Sequence, residues 1–294
     1  MNPVTALLVA LLPLLVPAQG PSRPRITGTP QLFQDYRIGE SSGVIASRKH
    51  PGLLWTMNDS GGDPVLFLTD STGASLGAFT VSAATNVDWE TLGRGRCGED
   101  ECLFIGDTGD NGERRRSVTL YRIPEPAPRN PPRDAVVDGT RAVRVEYPDR
   151  PHDVEALYVE PDGSVVLVTK GRSSGILTFR VPAGAWTTGG AVRADRLDSL
   201  PIAASLPRGR VVTDAAISPD GRKVVIRTYR ELWFFTRGGN GHLTLDPARP
   251  VCDVAGLQRQ GEAVDWWAGE TLVLTSERGS ARAGTILLVQ CPVL

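Results

Sequence analysis

The 294-residue chain has only 3 Lys beside 29 Arg, 3 His and 4 Cys, and no surplus of either charge, with 32 basic and 33 acidic side chains. Neutrality leaves no electrostatic footprint for nucleic acid or anionic lipid, so no nucleic-acid partner is expected. The scarcity of His, with none near a closely spaced Cys pair, argues against a zinc site. We read the excess of Arg over Lys as codon bias before chemistry. Also missing is any sustained i, i+3, i+4 apolar stripe, which makes helices minor. There is no phosphate-cradling Gly loop, HExxH or dinucleotide fingerprint. Disorder is excluded by the 40% hydrophobic content.

Residues 1–22 carry no ionisable side chain, and the apolar run Leu7 to Val16 leads into Pro17-Ala18. That run is too short and too Pro-broken to span a bilayer. Its length and small-residue exit predict a secretory signal over 1–18, cleaved near Ala18, and a mature chain 19–294 that is secreted or periplasmic with no membrane span. Four Cys permit three pairings. Cys97 and Cys102 enclose a hairpin-sized loop, so the expected disulfides are Cys97–Cys102 and Cys252–Cys291.

Short β-branched or aromatic runs bounded by Gly, Pro, Asp and Ser recur along the chain and predict an all-β fold. Five segments stack on one another: Ser41 to Ile45, Trp89 to Gly93, Val154 to Tyr158, Asp214 to Ser218 and Gly261 to Asp265. This stacking aligns Ser42, Glu90, Glu155, Ala215 and Glu262 about 55 residues apart, the size of a four-stranded propeller blade. The expectation is a single β-propeller of five blades, or six if an irregular link conceals another. Pro/Gly-rich stretches at 124–141 and 182–190 fit links to outer strands. Gln31 to Ile38 is expected to close the ring by supplying the last blade's fourth strand.

In a propeller the inner strands line an axial channel. Here they would bring Glu40, Asp88, Glu90, Asp153, Glu155, Asp214 and Glu262 to one end, beside Asn58 to Asp63, Gly106 to Asn111, Lys170 to Arg172, Arg227 to Arg230 and Ser276 to Arg278. So many carboxylates would repel and raise one another's pKa unless a hard cation such as Ca²⁺ lay among them. Gly39 to Gly43 matches G-x-S-x-G but lacks the strand-to-helix context of a nucleophile elbow. The three His are expected at surface or turn positions, and Arg114-Arg115-Arg116 in a solvated loop. Trp89 should face away from the two channel acids that flank it.

Glu40-Ser41-Ser42-Gly43, His50-Pro51-Gly52-Leu53-Leu54-Trp55, Asn58-Asp59-Ser60-Gly61, Asn86-Val87-Asp88-Trp89-Glu90, Gly106 to Asn111 and Asp153-Val154-Glu155-Ala156-Leu157 together resemble a group of exported bacterial propellers. That group is similar to the phytase-like (esterase-like activity of phytase) propellers, and the likeness runs through residues 38 to 180. It implies Asp88, Glu90, Asp153, Glu155 and Glu262 as Ca²⁺ ligands and Lys170, Arg172 and Tyr229 as binders of an anionic group. The implied activity is hydrolysis of a phosphoester or other ester by a monomer. Asp107 or Asp110 would complete the shell or orient water, and Lys170 would act in catalysis. The chain departs from the phytases in having Ala215 where the fourth blade should carry an acid, one channel Lys, and five units where they have six. The alternative function is a non-catalytic propeller with structural calcium that binds a glycan, cell-wall component or protein.

Overall fold

A computed structural model describes residues 20–173, 175–188 and 190–293; the expected leader at 1–18 lies outside the described residues. Turn residues break the chain into short strands that reverse one after another, and these form five small sheets arranged as the five blades of a β-propeller. From the axis outward, blade one holds Ser41–Ala46, Leu53–Asn58, Val65–Asp70 and Ser75–Val81. Blade two holds Trp89–Cys97, Asp100–Asp107, Val118–Pro124 and Arg141–Glu146. Blade three holds Val154–Val159, Val165–Thr169, Leu177–Val181 and Asp195–Ser199. Blade four holds Val212–Ile217, Lys223–Thr228, Glu231–Arg237 and Leu243–Leu245. Gly261–Ala268, Thr271–Ser276 and Thr285–Gln290 form blade five.

The inner strands of blades one, three and four are buried along their whole length, because each packs against neighbouring blades on both faces. One hydrophobic cluster fills each space between blades. Trp55, Phe79, Trp89 and Tyr121 lie between blades one and two, and Phe104, Leu157 and Phe179 between two and three. Trp89 does face away from the channel, its indole N–H donating to Thr85 O at 2.9 Å.

Closure takes two N-terminal pieces where one was expected. Gln31–Leu32 pairs with Thr285 and Ile286, and Arg25–Ile26 pairs further along the same strand, with Val289 and Gln290. Ser22 then bridges to Cys252, and the Cys252–Cys291 disulfide joins blade four's trailing strand to the end of blade five. The Cys97–Cys102 disulfide closes the blade-two hairpin. Two disulfides fit an oxidising compartment, and no described helix is long and apolar enough to cross a membrane.

The Pro/Gly-rich links lead to outer strands and also reach back to the preceding blade. Ala135–Val137 adds a parallel strand to the edge of blade one, and Ala191–Arg193 does the same for blade two. Each thereby covers an edge that would otherwise be open to pairing with another chain.

Candidate functional site: the acidic mouth of the channel

All five inner strands start at the same end of the channel, and the pairing shifts by a residue or more within the first turn of each. A β-bulge leaves its extra residue out of the ladder and turns its side chain aside. The residues at these bulges are Ser42, Glu90, Glu155, Thr213 and Glu262. Just beyond the second strands follow Asp59, Thr108, Lys170, Tyr229 and Glu277. Two rings of polar side chains therefore face one mouth.

The register of blade four corrects the sequence alignment by two residues. Val212 pairs with Thr228 as Val154 pairs with Thr169, so the counterpart of Glu155 is Thr213, and Ala215 lies deeper. Asp214 does not reach the mouth. Its carboxylate is buried in the channel wall, accepting from Thr91 Oγ1 and the Val264 N–H, each at 2.9 Å, and burial raises its pKa well above the ordinary range. The bulge hydroxyls fasten one blade to the next: Ser42 Oγ donates to Glu90 O at 2.8 Å and Thr213 Oγ1 to Glu262 O at 2.7 Å.

Three carboxylates converge most closely. One oxygen each of Asp59, Asp88 and Glu90 lies within 4.8 Å of the others. Gly109 is laid against them so closely that a Cβ there would sit 2.4 Å from Glu90 Oε1 and 2.5 Å from Asp88 Oδ2, so any other residue would have to push those carboxylates aside. Burial raises the pKa of Asp59, and pushes Asp88 up to about 6 with help from Asp59. Glu90, buried and facing Glu155, is held well above the usual carboxylate range. Asp59 joins this group although it was not assigned as a ligand from sequence. The signal was its place at the end of a second strand in Asn58-Asp59-Ser60, which equally suits a turn.

The other expected ligands have protein partners. Glu155 Oε1 accepts from Lys170 Nζ at 2.5 Å, yet burial still raises its pKa to about 7. Burial by itself would lower the Lys170 pKa, but Glu155 and Asp153 keep the ammonium raised. Asp153 Oδ2 accepts from Arg172 Nε at 2.7 Å, and Arg172 also donates to Asn111. Glu262 is raised to about 8 by burial, Glu155 and Glu277. Glu277, raised to about 7 by burial and by Asp59, shares a hydrogen bond with Glu262, and the Tyr229 hydroxyl bonds to Glu262 as well.

Asp107 and Asp110 fix the loop around Gly109. Asp107 accepts from the Val87 and Asp88 N–H groups and from Arg115 Nη2 at 2.9 Å. Asp110 Oδ2 accepts from the Arg114 and Arg115 N–H groups, while its own N–H donates to Asp153 Oδ1 at 2.9 Å. Arg115 is thus drawn in from the triplet, and Arg114 and Arg116 remain exposed.

Arg227, expected at the channel mouth, is buried and donates to Ala263 O, Thr275 O and Gln258 Oε1. His152 is not at the surface: it is buried, with its ring packed against Tyr147 and Phe179 and Nε2 at 2.9 Å from Asp149. Ser41 of the G-x-S-x-G match bonds Thr56 and Thr275 hydroxyls and meets no His.

No protein-family model matches the chain, and no curated protein matches it. Solved structures similar to it include the PQQ-bound aldose sugar dehydrogenase of Streptomyces coelicolor, 13% identical over 92% of this chain and 100% of that one, with a TM-score of 0.49. A gluconolactonase of Xanthomonas campestris is 14% identical over 82% of this chain and 69% of its own, with a TM-score of 0.43. A streptogramin B lyase is 8% identical over 90% and 98%, with a TM-score of 0.45. The likeness is one of fold alone.

Proposed function

We propose that the acidic mouth binds a divalent cation, Ca²⁺, and that the protein is an exported, phytase-like hydrolase of a phosphoester or other ester. The observation that carries this reading is the convergence of Asp59, Asp88 and Glu90 against the bare backbone of Gly109. Three partly or fully buried carboxylates without a cationic side chain among them are electrostatically incomplete, and their hard oxygens suit calcium. Asp153 and Glu155 stand beside that group, each already paired with a cationic side chain. When bound, such a cation polarises an ester or phosphoryl oxygen and lowers the pKa of a bound water.

The chain's own residues supply the rest. Lys170 and Arg172 sit beside the acids and can hold the anionic part of a substrate at the cost of loosening their pairs with Glu155 and Asp153. The hydrogen-bonded Glu262 and Glu277, raised to about 8 and 7, hold a proton near neutral pH and can pass it to a leaving group. Asp107 and Asp110 position the Gly109 loop. The same ion pairs favour the second reading, a non-catalytic propeller that binds a glycan, cell-wall component or protein, because cationic groups already neutralised by carboxylates are poorer anion binders.

Unfolding temperature with Ca²⁺ and with chelator, run beside phosphatase and esterase screens, separates these readings. Calcium at about 100 times its Kd should stabilise the native state by about 2.7 kcal/mol. Glu90→Gln should abolish most of that gain. No stabilisation in the wild type overturns the cation site, and stabilisation without turnover leaves the binding reading.

A further inference from the structure

The outer part of the seam between blades five and one holds a cavity of about 330 Å³. Ligand sites run from about 300 to 1,000 Å³, so this one suits a single small ring. Strand pairing explains its floor. Val65 lies opposite Thr80 and Phe67 opposite Ala78 in the third and fourth strands of blade one, and alternation along each strand puts all four side chains on one face. That face turns to blade five, because Phe67 and Ala78 share an apolar cluster with Ala263, Val273 and Ile286.

An ion-pair network makes one wall rigid. Arg37, its Cζ 5.7 Å from the centre of the Phe67 ring, is held by Asp35 through Nε at 2.9 Å and Nη2 at 2.7 Å, and by Asp134 through Nη1 at 2.7 Å. These bonds leave one N–H of Arg37 Nη1 unused, and the Asp134 carboxylate keeps free lone pairs and stays exposed. The loop after Asn58 supplies Asp63. Asn58 fixes the base of that loop to the Arg37 segment, its amide donating to Arg37 O at 2.8 Å and accepting from the Gly39 N–H at 3.1 Å. Asp63 and Thr80 are exposed, and among the described residues nothing bonds to the carboxylate of one or the hydroxyl of the other.

The lining thus sets donors and acceptors side by side over an apolar floor. An anion would meet Asp63 and Asp134, and an ammonium would meet Arg37. A hydroxyl both donates and accepts, so it can serve the guanidinium and the carboxylates at once. Walls already locked by their own bonds lose little freedom when a ligand arrives.

We propose that this cavity is a binding site for a neutral hexose. Its ring lies on Val65, Phe67 and Ala78, and its hydroxyls bond Asp63, Thr80, Asp134 and Arg37. The site is separate from the acidic mouth and does not rest on the cation reading.

Glucose, galactose and mannose, each titrated into the full chain in calcium-containing buffer and followed by ligand-observed NMR, test this. Saturable binding of at least one is expected. Asp63→Ala should weaken it about tenfold through loss of a charged acceptor, and Thr80→Val about threefold. Thr80→Tyr, whose ring would fill the cavity, should abolish it. Asp63 and Thr80 are exposed and valine and tyrosine suit a strand, so the variants should keep their fold, which circular dichroism checks. Saturation by none of the three hexoses overturns the site, as does an unchanged Kd in Asp63→Ala or binding retained in Thr80→Tyr. Tighter binding of the uronate or the amino sugar of the same hexose overturns the choice of a neutral ligand. Loss of hexose binding in Glu90→Gln would assign the sugar to the acidic mouth and overturn the proposal; binding unchanged in that variant, with the calcium response gone, supports it.

Discussion

The two mouths of the channel solve the same problem in opposite ways. Each gathers buried charge where five strands approach the axis. At the acidic end the strands bulge, and side chains from five blades crowd together with an excess of carboxylates that the protein meets only partly, through Lys170 and Arg172. At the other end Asp265 has close partners: Arg94 pairs with it and the Ala46 N–H donates to it at 2.8 Å. That pair links blades one, two and five. Satisfied charge holds the ring together, whereas charge left unsatisfied is available to a ligand.

Changing pH should disturb this contrast most. With chelator present, Glu155, Glu262 and Glu277 keep their protons to about 7, 8 and 7 in the folded chain, against an ordinary value of 4.5 when unfolded. At these three groups the folded state binds protons more tightly, so the stability they contribute is fully present below about pH 4.5 and is lost as pH rises to about 8. Calcium should flatten that fall. Chemical denaturation at pH 5 and pH 8, with and without calcium, checks both; stability that rises over this range in chelator would contradict the account of the acidic mouth. A next-largest effect is expected at the other end. Arg94→Ala strands Asp265 in the interior and should destabilise by about 3–5 kcal/mol at neutral pH. A loss in urea unfolding below about 1 kcal/mol would show that the pair does not hold the ring. The smallest change is Thr213→Val, which removes the hydroxyl bond to Glu262 O. It should cost about 1 kcal/mol, read from the same unfolding curves, and leave the calcium response intact.

Much of the architecture was legible because blade strands announce themselves locally. Apolar runs such as Val165 to Thr169 end at turns such as Pro161-Asp162-Gly163, and repetition of that pattern gives five units. Both disulfides followed from spacing and number. Harder to see was the fourth blade's register, since an alignment that seeks an acid is drawn to Asp214-Ala215. The pairing of Val212 with Thr228 depends on partners outside the strand. Asp59 was equally obscure, because an Asx turn and a metal ligand have the same local sequence. The parallel strands at 135–137 and 191–193 could not be anticipated either, since each is defined by the edge of another blade.

By itself, the sequence determined the strand-and-turn rhythm, the number of units and the covalent links, since these rest on local propensity and count. Tertiary structure decided which acids meet. Its bulges brought Asp59, Asp88 and Glu90 together and gave Glu155 and Asp153 to Lys170 and Arg172. It also paired Arg94 of blade two with Asp265 of blade five. Those outcomes depend on distances between blades far apart in the chain, and charges interact by distance, not by position along it.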